Sequence, residues 1–154
     1  MRKKLSMEEL YPIMLEEFRE GRTFKMITNG TSMLPFIGNG CDTVILKEPE
    51  GTLKKYDIPL YRREDGSFVL HRIIGKDKHG YIMCGDNQFI KEYGITDDNI
   101  VAVMTGLIKN GEVHELRGAG YKAYCIRLCA LRPIRKVYIA FKRRIKALLK
   151  IGKK

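Results

Sequence analysis

The sequence predicts a mainly β body built of hairpins, with a short helix before it and a basic amphipathic helix after it. Two patterns carry that expectation. From about residue 23 to 116, short runs of β-branched and aromatic residues alternate with Gly, Asn and Asp clusters, the texture of antiparallel strands joined by tight turns. On either side of that stretch apolar residues recur three and four apart, the spacing of one helix face.

The first helix is expected over residues 6–20. Ser6 followed by Glu9 forms a capping box, and Leu10, Ile13, Met14 and Phe18 keep helical spacing. Pro12 makes its early turns irregular, and Gly21 ends it. Phe24–Ile27 then reads as a strand running into Asn29-Gly30. Thr43–Leu46 follows the Gly38-Asn39-Gly40 turn. Ile58–Arg62 and Phe68–Ile74 flank Glu64-Asp65-Gly66, and Tyr81–Cys84 follows His79-Gly80. Residues 100–108 and 112–116 meet at Asn110-Gly111. Asp65-Gly66 and Asn110-Gly111 are the strongest hairpin signals.

Gly118-Ala119-Gly120 reads as a hinge. Beyond it Pro133 suits a first helical turn, and Ile134, Val137, Tyr138, Phe141, Ile145, Leu148 and Leu149 keep one face among lysines and arginines. Three segments follow: a helix at 1–21, a β domain at 22–117, and a hinge with a basic helix at 118–154.

The 154 residues suffice for one domain that buries about two-thirds of its unfolded surface. The net charge of +11 is uneven. Residues 116–154 hold 13 Lys/Arg and no acid, whereas residues 1–115 hold 16 against all 18 acids and are close to neutral. A charge confined to a tail suggests a polyanionic partner there.

Cys41, Cys84, Cys125 and Cys129 show no disulfide spacing, and no secretory leader is recognised ahead of them, so a reducing, cytoplasmic setting is expected. Cys125 and Cys129 would share a helix face, but no histidine or third cysteine lies nearby to complete a metal site; neither metal nor cofactor is expected. No apolar run reaches the roughly 18–20 residues of a membrane span.

Three motifs carry chemistry. Gly30-Thr31-Ser32-Met33-Leu34-Pro35 presents a hydroxyl after a strand, with a glycine for a sharp turn before it. Leu70-His71-Arg72-Ile73 places an imidazole inside an apolar strand. Gly85-Asp86-Asn87 offers a carboxylate in a turn, with Glu92 a second acid six residues on. A hydroxyl, a base and an acid are the requirements of nucleophilic acyl transfer. Taken singly, Ser32 and Asp86 are turn residues and His71 a core or edge histidine.

Together the motifs, with Gly40-Cys41-Asp42-Thr43-Val44, match in order and approximate separation. The chain over about residues 22–108 resembles the signal peptidase I and LexA-like serine peptidases, most closely their small anchorless bacterial members with a Ser-His pair. The resemblance implies their β fold, with Ser32 as nucleophile, His71 as general base, and Asp86 or Glu92 holding the imidazole. It implies an oxyanion met mainly by the Ser32 N–H, with Gly30, Thr31 and Met33 positioning the substrate around it, Met33 by packing. Three departures stand out. Gly30 occupies the place where signal peptidases carry an oxyanion serine. Glu92 stands where the endoplasmic-reticulum enzymes have an aspartate. No N-terminal membrane anchor is recognised.

The basic helix offers another attachment. Arg135, Lys136, Lys142, Arg143 and Lys146 would face anionic headgroups, keeping the protein peripheral at the inner membrane face; nucleic acid is disfavoured because no zinc pattern or helix-turn-helix precedes the body. The function expected is cleavage of a leader or signal-like peptide, with activity falling below about pH 6 as His71 protonates. A self-cleaving regulator of the LexA type, or a non-catalytic peptide-binding module on the same fold, are the alternatives.

Overall fold

The computed structural model describes residues 5–137 together with Phe141 and Ile145. It begins with helix α1 (Met7–Arg19). The Ser6 hydroxyl accepts from the Glu9 N–H at 3.2 Å and the Glu9 carboxylate accepts from the Ser6 N–H at 2.8 Å, so two of the helix's orphan donors are satisfied reciprocally. Pro12 is accommodated inside the helix, and Met14 and Phe18 turn into the core.

Among the described residues nine strands follow: β1 (Phe24–Ile27), β2 (Thr43–Lys47), β3 (Pro59–Arg62), β4 (Phe68–Leu70), β5 (Arg72–Asp77), β6 (Gly80–Cys84), β7 (Glu92–Ile95), β8 (Ile100–Lys109) and β9 (Glu112–Glu115). They form two antiparallel sheets. The larger runs β1-β2-β8-β3-β4, with β9 also on β8; the smaller runs β5-β6-β7. Strand β8 carries the larger sheet: it pairs with β2 through Val103–Ile108 and with β3 through Ile100–Val103. A bulge interrupts the register on each side, at Ile45/Leu46 and at Leu60/Tyr61. Bulges bend and over-twist a sheet, and this one is curled.

One core cluster gathers Met14 and Phe18 of α1 with Val44, Leu46, Leu60, Met104 and Leu107 of the sheet, and takes in Met33 and Ile37 from the β1–β2 connection. A second joins Tyr61 to Ile73, Tyr81 and Met83. Each side chain fully buried this way contributes about 1.5–3 kcal/mol.

The structure departs from the sequence reading at three places. Residues 68–74 are not one strand. The chain leaves the larger sheet after Leu70 and enters the smaller one at Arg72, so His71 sits at the crossing between them. The cause is tertiary: the Ile73 N–H donates to the Asp57 carbonyl and the Tyr56 N–H to the Ile73 carbonyl, both within 2.9 Å, which draws the chain away from the β3–β4 ladder. Strand β7, four residues with Tyr93 and Ile95 on either side of a glycine, is too short for an alternation to reveal it. Residues 118–120, expected as a hinge, open helix α2 (Gly118–Ala130). Two glycines lower helix propensity by about 1 kcal/mol each, yet Cys125 and Leu128 are buried on that helix and packing outweighs propensity.

The chain divides into two compact units at Gly118/Ala119. In the second, helical backbone recurs at 132–137, Phe141 and Ile145. Tyr138, Lys142, Arg143, Lys146, Leu148 and Leu149 of the expected basic helix lie outside the described residues. No helix among the described residues is long and apolar enough to cross a membrane.

Candidate active site

Ser32 lies in the connection between β1 and β2, which is folded back on itself. The Gly30 N–H donates to the Asn39 side-chain oxygen at 2.8 Å and the Gly40 N–H to the Thr28 carbonyl at 2.9 Å. Gly30 has a φ of +123°, a conformation glycine tolerates and side chains resist. Immediately after Ser32 comes a turn closed by the Ile37 N–H on the Met33 carbonyl at 3.0 Å. Met33 and Ile37 both face the core from that turn. Two apolar anchors therefore fix the backbone beside the hydroxyl. At the far end buried Asp42 accepts from the Gly38 N–H at 2.6 Å and pairs with Lys109 at 3.5 Å.

The Gly85-Asp86-Asn87 turn clasps this loop. The Asn87 N–H donates to the Ser32 carbonyl at 2.7 Å, and the Asn87 side-chain amide to the Thr31 carbonyl at 3.1 Å. A Cβ on Gly85 would lie 2.7 Å from that same Ser32 carbonyl oxygen, so only glycine permits the approach.

Asp86 makes a different contact from the one weighed in the sequence. Its two oxygens accept from Nε and Nη2 of Arg72 at 2.8 and 2.7 Å, with both side chains wholly buried. Arg72 also donates to the Tyr56 carbonyl at 3.2 Å and lies 5.0 Å from the Phe36 ring centroid. Asp86 is thus the counter-ion of Arg72. Glu92 is the acid at the histidine: its Oε1 is 3.0 Å from His71 Nδ1. Arg63 grips the same carboxylate through two bonds of 2.8 and 2.7 Å, and the Tyr61 hydroxyl lies 3.2 Å from Nδ1.

The electrostatics follow from burial and pairing. Burial pushes the His71 pKa down, and this outweighs the upward pull of Glu92's charge and hydrogen bond; Arg63 adds to the lowering. For Glu92 burial acts upward, but hydrogen bonds from Arg63 and Tyr61 and the charge of Arg63 overcome it and hold the carboxyl below its ordinary value. Burial, then Glu92's charge, raises the Tyr61 hydroxyl, which stays neutral. The imidazole is therefore neutral at pH 7 beside a charged carboxylate. An Nδ1–H donated to Glu92 leaves the Nε2 lone pair as acceptor.

Ser32 and His71 line one cavity of about 410 Å³, with Gly30, Met33, Arg63 and Gln88 also on its wall. Thr31, Asp86 and Glu92 are not on it. The two terminal strands of the larger sheet both reach the cavity, β1 through Met26 and Ile27 and β4 through Val69 and Leu70. Each has a ladder partner on one side only among the described residues. Among those residues the Ser32 N–H has no hydrogen-bond acceptor, and no three His, Cys, Asp or Glu side chains gather as a metal site requires.

Sequence reasoning missed Arg63 and Tyr61. Neither stands in a motif; both lie where β3 runs into its hairpin, a place where tyrosine and arginine are unremarked. Comparisons with protein-family models, curated proteins and solved structures give no match for this chain.

Proposed function

We propose that this protein is a serine endopeptidase of the signal-peptidase type, on the signal peptidase I and LexA-like fold, cleaving a leader or signal-like peptide. One observation carries the reading: Ser32 and His71 line the same cavity, and the histidine's Nδ1 rests on the Glu92 carboxylate. Ser32 Oγ attacks the scissile carbonyl as His71 Nε2 takes its proton. The imidazolium so formed is stabilised by Glu92, and the proton then passes to the leaving amine. The Ser32 N–H, without an acceptor among the described residues, suits the developing oxyanion. Water takes the place of the amine, and the same residues release the acyl group. The edges of β1 and β4, unpaired among the described residues, suit an extended peptide that adds to either ladder through its backbone.

A fluorophosphonate probe tests the chemistry without a known substrate. Wild type is labelled at Ser32; Ser32→Ala is not, and His71→Ala is labelled at least about 10²-fold more slowly. Cleavage of candidate leader peptides then follows the same order. Equal labelling of wild type and Ser32→Ala overturns the assignment. An intact mass that shortens on incubation without substrate favours self-cleavage instead.

A further inference from the structure

We propose that the apolar residues Ile134, Val137, Phe141 and Ile145 belong to a membrane-surface element that lies in the headgroup region of an anionic bilayer. Ile134, Val137, Phe141 and Ile145 are 64, 70, 62 and 41% exposed, large apolar side chains that a soluble helix would turn inward. All four have helical backbone. Their sequence spacing, at about 100° per residue, puts the four positions within an arc of about 80°. Exposed Lys136 lies off that arc, as does half-buried Arg135.

Charge decides between occupants of this face. Residues 116–154 contain 13 Lys/Arg and no Asp or Glu. A second copy of the element would bring like charges together with no acid to meet them. A nucleic acid would satisfy the charge but gains nothing from four apolar side chains, because its affinity rests on phosphate contacts. An anionic lipid surface satisfies both features at once: the four apolar side chains enter the acyl boundary while lysine and arginine remain among the phosphates. This inference is independent of the catalytic reading, since it concerns a different unit of the chain and a face with no part in the chemistry.

Co-sedimentation of the full chain with vesicles tests it. The chain binds vesicles of equal parts phosphatidylcholine and phosphatidylglycerol, does not bind phosphatidylcholine alone, and is released by high salt. The Val137→Ser, Phe141→Ser pair weakens binding about tenfold or more, and Lys136→Gln weakens it about fivefold; circular dichroism of both variants matches wild type. Failure to bind the anionic vesicles overturns the proposal. So does vesicle binding that the serine pair leaves intact. Retention on duplex DNA without vesicle binding, or a dimer dissolved by the serine pair without vesicle binding, replaces it with the corresponding partner.

Discussion

Gly85 and Ser32 touch backbone to backbone: a single methyl on Gly85 would come within 2.7 Å of the Ser32 carbonyl oxygen. Gly85→Ala must therefore move the serine loop or the turn. Overpacking of this kind costs about 1–3 kcal/mol. The expected signature is loss of fluorophosphonate labelling larger than the drop in urea midpoint accounts for. Labelling at the wild-type rate would show that the clasp is not what fixes the hydroxyl.

Glu92→Gln removes the charge beside His71 while keeping the side chain's size. On the proposed mechanism the imidazolium loses its stabilising partner, and labelling or kcat/KM falls about 10²–10⁴-fold. The His71 pKa, no longer pulled up by the carboxylate, drops further; NMR titration in a Ser32→Ala background reads it directly.

Arg63 acts on the histidine directly by its charge and also through Glu92, and on the proposed mechanism is a positioning residue. Its charge lowers the His71 pKa and its two bonds help hold Glu92 ionised. Arg63→Met is expected to raise the His71 pKa and move the acid limb of the pH–rate profile upward, with Arg63→Lys intermediate. A role limited to stability would leave that pKa in place.

Asp86→Asn should behave unlike Glu92→Gln. It leaves a buried guanidinium without its counter-charge, a loss of about 3–5 kcal/mol, visible as a large fall in urea midpoint. Adding Arg72→Met recovers part of that loss, since the stranded charge is gone. Two acids six residues apart thus separate into one whose removal harms folding and one whose removal harms chemistry.

Acid should weaken the fold through the same pair. His71 has a folded pKa below its unfolded value of about 6.5, so between the two the unfolded chain binds the extra proton. Stability accordingly declines as pH falls through about 6.5. Glu92, also lowered, adds a second loss of the same sign below about pH 4.5. The urea midpoint at about pH 5.5 should lie below that at pH 7.5, and His71→Gln should shrink the difference. On the proposed mechanism the lowered imidazole should also extend activity below the pH 6 limit that an ordinary histidine implies.

Local chemistry made much of the body readable. Ser6 and Glu9 announce α1 because a cap is a short-range device, and Asn110-Gly111 announces the β8–β9 hairpin because both residues take positive φ. What stayed hidden depends on distant partners. The break at His71 is made by Tyr56 and Asp57, and nothing in Val69–Ile74 hints at it. The choice between Asp86 and Glu92 turns on which acid Arg72 takes. The sequence places that arginine next to the histidine but gives no sign that the fold buries it against the first acid. Arg63 joins the site by an ion pair 29 residues long in sequence, beyond any spacing rule.

The open borders of the curled sheet have a consequence for the protein at rest. A strand with one bare ladder is a template for any neighbouring chain, and here two such strands flank one hollow. Natural proteins guard such margins with charge or brevity. Exposed Lys25 stands in the middle of β1, and β4 is only three residues long. On the proposed function, margins this short and this charged favour pairing with a short extended peptide over pairing with a second copy of the chain.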